Sequence, residues 1–154
     1  MMWEVAEIGT AMAKIGGAAA FALSALGSAL GTGAAGSGAI GAWKKCFIQK
    51  KPAPFQLLVF AGAPLSQTIY GMILMFFIMG KAGDATAAQG FSLMWSGVVA
   101  GLGIGTSAWL QGRAAAGACD SFSETGKGFT NDLMVLGIVE TTALFVMALL
   151  ISVL

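Results

Sequence analysis

The sequence predicts an all-α integral membrane protein in which four transmembrane helices form two repeated helical hairpins, residues 1–83 and 84–154. Three observations carry that reading. Hydrophobic residues make up 57% of the chain and charged residues 10%, with a mean hydropathy of +0.84, unlike an ordinary soluble domain. Its apolar residues gather into four runs, each longer than the ~20 residues that cross a bilayer, leaving no room for a soluble domain among 154 residues. The halves also recur. Ser28-Ala29 and Gly33 match Ser107-Ala108 and Gly112 at an offset of 79, which sets Thr32 opposite Gln111. Gln67-Thr68 matches Glu140-Thr141 at an offset of 73. Only the second copy carries the acid, and such parallel repeats give the second and fourth helices the same orientation. A net charge of +1 supplies no field for nucleic acid, so no nucleic-acid partner is expected.

Each element has its own justification. Glu4 and Glu7 precede the first apolar run; a cleavable signal peptide has a positive start, so the N-terminus is expected to be retained. The first span covers about residues 11–43, with Lys14 at its edge, where the stem can snorkel. Gly27 and Gly31 form a G-x-x-x-G pair, and small side chains between membrane helices permit close packing. Gly31-Thr-Gly33-Ala-Ala-Gly36 also fits a dinucleotide fingerprint, but that motif requires a preceding strand, and a long Gly/Ala helix provides none. No nucleotide is expected on this chain.

Lys44, Lys45, Lys50 and Lys51 with Pro52 and Pro54 form a basic connection that marks the cytoplasmic side and sets the start of the next helix. The second span covers about 53–80. Ala63, Ser66, Gln67 and Tyr70 share one of its faces at i, i+3, i+4 and i+7, and Pro64 removes a backbone donor, which frees a carbonyl in the preceding turn. Lys81-Ala-Gly-Asp84 is a nearly neutral turn. In the third span, about 88–118, Gly97, Gly101 and Gly105 give another close-packing face; Gln111 and a snorkelling Arg113 lie near its end. The segment 120–132 reads as a polar loop, and the fourth span covers about 129–154. Histidine is absent, and Cys46 and Cys119 stand alone near expected helix ends; a structural zinc site needs four ligands, so both are read as small apolar filler.

Glu140 sits within the apolar run from Leu133 to Leu154. A carboxylate at the centre of a membrane helix costs roughly 2.5–3.5 kcal/mol on insertion scales and marks a functional site unless it serves assembly alone. Gln67 lies 13 residues before Gly80 and Glu140 lies 14 before Leu154, so both stand ~20 Å from the outer ends. Gln111 precedes Asp120 by nine residues and Glu140 follows Asp132 by eight. Glu140, Gln111, Gln67, Ser66 and Tyr70 are therefore expected to converge. An all-oxygen set suits a hard cation by analogy with others of that class, whereas a proton would need only the acid and one hydrogen-bond partner.

Pro64-Leu-Ser66-Gln67-Thr-Ile-Tyr70-Gly71, Gln111-Gly-Arg-Ala-Ala-Ala-Gly117 and Val139-Glu140-Thr141 resemble the proteolipid rotor subunit of V-type ATPases, and more narrowly its sodium-binding members. The resemblance covers nearly the whole chain. It implies a non-catalytic subunit in a homo-oligomeric membrane rotor ring, coupling rotation to ion transport while ATP chemistry occurs elsewhere. It implies Na⁺ held by Glu140, Gln67, Gln111, the Ser66 hydroxyl and the Ala63 carbonyl, with Tyr70 bonded to the carboxylate. Ser66 stands where that pattern has Thr and Ala63 where it has a larger apolar residue; both keep the ligand oxygen. The same rotor protein working with H⁺ is the alternative, followed by a small proton-relay transporter and a structural tetraspan scaffold. Implied partners are a stator subunit offering a cation to Glu140, central-stalk subunits at 44–52 and 119–131, and membrane lipid.

The expected setting is the cell membrane, crossed several times, with external termini and cytoplasmic hairpin loops. Single cysteines introduced at residue 84 should react with an impermeant thiol reagent from outside. Labelling of that position from the cytoplasmic side would reverse the topology.

Overall fold

The computed structural model describes the backbone of residues 2–154 and the side chains of residues 7–154; Glu4 lies outside those side chains. Helix α1 is Met2–Ile48, α2 is Leu57–Gly62, α3 is Ser66–Gly80, α4 is Ala87–Thr125 and α5 is Phe129–Val153. A 3₁₀ turn, Ala63–Leu65, joins α2 to α3. Four helical segments, with α2, the turn and α3 counted as one, are long and apolar enough to cross a membrane, and no strand occurs among the described residues.

Two helices outrun their expected bounds. With 47 residues, α1 is ~70 Å long, against ~30 Å of hydrocarbon. It passes through Lys44 and Lys45 because lysine is a good helix former and suits a helix C-terminus. Beyond Ile48, Lys50 takes a left-handed φ of 56°, Lys51 N–H donates to Cys46 O at 2.9 Å and Lys50 N–H to Phe47 O at 3.2 Å. That pair of bonds is a Schellman stop. The second span begins at Leu57 rather than 53, since Pro52 and Pro54 hold the chain non-helical and Trp43 Nε1 donates to Pro54 O at 2.8 Å.

The segment 120–132, expected as a loop, is mostly helical. α4 runs on to Thr125, and only residues 126–128 separate it from α5, with Gly126 and Gly128 at φ 64° and 86°. Asp120 and Glu124, one turn apart on α4, both meet Lys45 Nζ of α1, at 2.6 and 3.1 Å. These pairs are exposed and individually worth little, but they join the overhanging ends of both long helices. Cys119 consequently lies inside α4 rather than at its end, and it and Cys46 are free and buried.

α1 and α4 run parallel and so close that side chains are excluded between them. A Cβ at Gly31 would stand 2.2 Å from Ala108 O, and one at Gly112 2.0 Å from Gly31 O. Gly9 faces Gly90, Gly16 faces Gly97 and Gly31 faces Gly112, a constant offset of 81. α3 runs antiparallel along α1, with Gly71 against Ser24 and Ala20 O and Pro64 against Gly31. At the lysine end, Phe60, Phe122 and Phe129 pack with ring centroids 5.2–6.2 Å apart, tying α2, α4 and α5 together. α5 is the least enclosed helix, with only Leu136 and Ala143 buried.

Gly31→Ala and Gly112→Ala should each destabilise the purified protein in detergent by about 1–3 kcal/mol, the range for overpacking. Gly103→Ala should melt like the parent, since a Cβ there makes ordinary contact with Val146 at 3.5 Å. Equal melting curves for all three would mean that the close approach does not hold α1 against α4.

Candidate functional site

Glu140 projects from α5 towards α3 and α4, half-buried. Tyr70 Oη donates to its Oε1 at 2.5 Å, and Gln111 Nε2 donates to its Oε2 at 3.2 Å. The second Gln111 amide proton goes to Leu136 O at 3.0 Å. Gln67 Nε2 donates to Gln111 Oε1 at 2.8 Å. The Ser66 hydroxyl lies 3.2 Å from Gln67 Oε1 and 3.1 Å from Ala63 O, with one proton for the two acceptors. Glu140, Gln111, Gln67, Ser66, Ala63 and Tyr70 thus stand in one connected set of hydrogen bonds.

Local structure explains the placement. Pro64 has no N–H, so the span tightens into the 3₁₀ turn at Ala63–Leu65. The turn brings the Ser66 N–H and hydroxyl onto Ala63 O. That carbonyl is therefore engaged, and the Phe60 carbonyl of the turn before accepts from the Ala63 N–H; the freed acceptor expected around Pro64 is taken up locally. Gln67 and Gln111 are both fully buried. Two amides in such a setting hold each other, because an unpaired buried polar group costs about 1–3 kcal/mol.

Two contacts were not anticipated. Ser107 Oγ, one turn before Gln111 on α4, donates to Val139 O of α5 at 2.9 Å. Together with Gln111 on Leu136 O, it pins α5 to α4 in the turn that leads into the acid. Both acceptors are backbone carbonyls, which residue types do not advertise; the signal available was Ser107 and Gln111 at i, i+4 on one face. Arg113 is exposed and has no part in the set. A groove of about 810 Å³ between α4 and α5, lined by residues such as Phe91, Trp95, Val146 and Val153, is apolar and contains none of the six.

The chemistry on offer is that of oxygen. One carboxylate, two amide carbonyls, a hydroxyl and a backbone carbonyl belong to one chain of hydrogen bonds, and no cluster of three or more His, Cys, Asp or Glu occurs among the described residues. A single acid balances a single positive charge.

Gln111→Leu should cost the purified protein several kcal/mol in thermal or denaturant melts, because Leu136 O and the Gln67 amide lose partners at once. Tyr70→Phe should cost about 1 kcal/mol or less, as one hydrogen bond from a half-buried phenol is lost. The reverse ranking would mean that the amide pair is not what holds the site.

Residues 94–154 match the family model for the C subunit of ATP synthase. That stretch contains most of α4 and all of α5, including Gln111 and Glu140. That family consists of helical-hairpin membrane rotor proteins, non-catalytic themselves, and the match covers 61 of the 154 residues. Among curated proteins, nothing matches.

Proposed function

We propose that this chain is the proteolipid of a V-type rotary ATPase rotor, that each copy in the ring carries one Na⁺ at Glu140, and that the ion exchanges there as the ring turns against a stator. The carrying observation is the connected set of hydrogen bonds that joins Glu140 to Tyr70 and Gln111 and, through Gln111, to Gln67, Ser66 and Ala63. The match over 94–154 supports the rotor role. The narrower sodium reading rests on the donor set. A proton would be served by Glu140 and Tyr70 alone, and two buried glutamines with a hydroxyl would then be superfluous.

Na⁺ is the cargo. Glu140, Gln67 Oε1, Gln111 Oε1, Ser66 Oγ and Ala63 O are the proposed ligands, and Tyr70 orients the carboxylate. With a monovalent ion the site is neutral and can face lipid; a divalent ion would leave a net charge, which hydrocarbon penalises. Once the ion leaves, the carboxylate needs a cation from another subunit. Each ion crossing 100 mV exchanges about 2.3 kcal/mol with the membrane field, and ring rotation couples that energy to ATP chemistry in other subunits. The first hairpin is proposed as a copy of the second without the acid, on the recurrence of Ser28-Ala29 and Gly33 as Ser107-Ala108 and Gly112 and of Gln67-Thr68 as Glu140-Thr141. The joined ends of α1 and α4, with 44–52 and 119–131, would face the cytoplasm and the central stalk.

Carbodiimide modification of Glu140, followed across a Na⁺ titration at fixed pH, tests the reading. Na⁺ should protect the carboxylate, and Gln111→Ala or Gln67→Ala should weaken the protection while leaving an acid that still takes up protons. Glu140→Gln should abolish transport, because an amide cannot alternate between neutral and charged states. Labelling indifferent to Na⁺ would leave a proton-carrying rotor.

A further inference from the structure

Ser28 is 1% exposed, and its hydroxyl has no hydrogen-bond partner among the described residues. Its place along α1 is fixed by two contacts with the second span. On one side Ser24 meets Gly71 of α3, and on the other Gly31 meets Pro64 of the 3₁₀ turn. Because α1 and α3 are antiparallel, Ser28, between Ser24 and Gly31, stands at the level of Gln67, between Gly71 and Pro64. Ser24, Ser28 and Gly31 share one face of α1 at i, i+4 and i+7; Pro64, Gln67 and Gly71 form the facing surface, and all are buried. Gln67 is itself incompletely paired. One of its two amide protons goes to Gln111 Oε1, and the second has no acceptor among the described residues.

These two unsatisfied groups bear on how a cation could be held. Gln67 Nε2 occupies Gln111 Oε1, one of the oxygens the cation requires. An N–H cannot point at an oxygen that ligates a cation without placing partial positive charge beside it. When Gln67 Oε1, Gln111 Oε1, Ser66 Oγ and Ala63 O all serve the ion, each becomes a poor acceptor for the Gln67 amide. Ser28 Oγ, a hydroxyl with two lone pairs, is the acceptor left at that level. We propose that Ser28 is a positioning residue for the cation, its hydroxyl accepting the Gln67 amide N–H as the Gln67 and Gln111 carbonyl oxygens turn to a monovalent cation at Glu140. This rests on the sodium reading above and adds a residue of α1 to it. Ser28 does not touch the ion; it acts through Gln67. Protonation of Glu140 leaves the amide pair as it stands and needs nothing from Ser28. The residue therefore favours Na⁺ over H⁺.

The test is the half-protecting Na⁺ concentration for carbodiimide labelling of Glu140, at fixed pH in membranes holding the whole complex, for the parent, Ser28→Ala, Gln67→Ala and the double variant. Ser28→Ala should raise that concentration about tenfold, the effect of one buried hydrogen bond. The double variant should match Gln67→Ala alone, because the hydroxyl acts only through that amide. Without Na⁺, the pH profile of labelling should be the same for Ser28→Ala as for the parent. Ser28→Cys, nearly the same size but a weak acceptor, should behave like Ser28→Ala and serves if that variant assembles poorly. Parent-like Na⁺ protection in both serine variants, or shifts that add in the double variant, would overturn the role of Ser28 and leave the sodium site standing. A parent indifferent to Na⁺ would overturn both.

Discussion

A carboxylate at membrane depth has to be met by polar groups within hydrogen-bond reach, and that requirement governs how closely these helices approach. Glu140 on α5 is met by Tyr70 of α3 and Gln111 of α4, and Gln111 is held by Gln67 of α3. For α3 and α4 to exchange a hydrogen bond between two buried amides, both must lie hard against α1. Glycine makes that possible: Gly31, between Ala108 and Pro64, has α4 on one side and the second span on the other. A larger residue there would push apart the helices that carry the two glutamines. The glycine contacts and the polar cluster are two parts of one arrangement.

Pro64 works at shorter range to the same end. By interrupting the second span it produces a turn in which Ala63 O, the Ser66 hydroxyl and Gln67 Oε1 lie within 3.2 Å steps of one another. A continuous α-helix would direct the Ala63 carbonyl along the axis to residue 67. The polar set that ends at Glu140 thus includes the backbone as well as side chains.

Much of this was readable from spacing. Counting from the helix ends set Gln67, Gln111 and Glu140 at one depth, and the four-residue periodicity of glycines marked the contact faces of α1 and α4. What spacing did not reveal depends on groups that are distant in sequence or carried by the backbone. Asp120 to Thr125 looked like a loop because they are polar; their helical state goes with Lys45, 75 residues away. Leu136 O and Val139 O hold the α4–α5 interface at the acid, but a carbonyl belongs to every residue and cannot be singled out by type. Ser28 entered only as one member of a repeated pair with Ser107. The structure separates them: Ser107 bonds a carbonyl of α5, while Ser28 has no partner among the described residues.

The same separation bears on why the acid belongs to the second half. Gln67 is fully buried on a helix whose Gly71, Leu74 and Ile78 are also buried, facing α1. A carboxylate there would be enclosed by α1 and α4 and would face the several kcal/mol that desolvation of an enclosed charge costs. A neutral amide at that position can be satisfied by Gln111 and can lend its oxygen. Glu140 sits instead on α5, the most exposed of the helices, and is itself half-buried. The proposed exchange, in which the acid is first enclosed and then met by a cation from outside the chain, calls for such a position. Gln67 and Glu140 occupy matching places in the two halves, and the difference in their burial agrees with the proposed roles, support for one and exchange for the other.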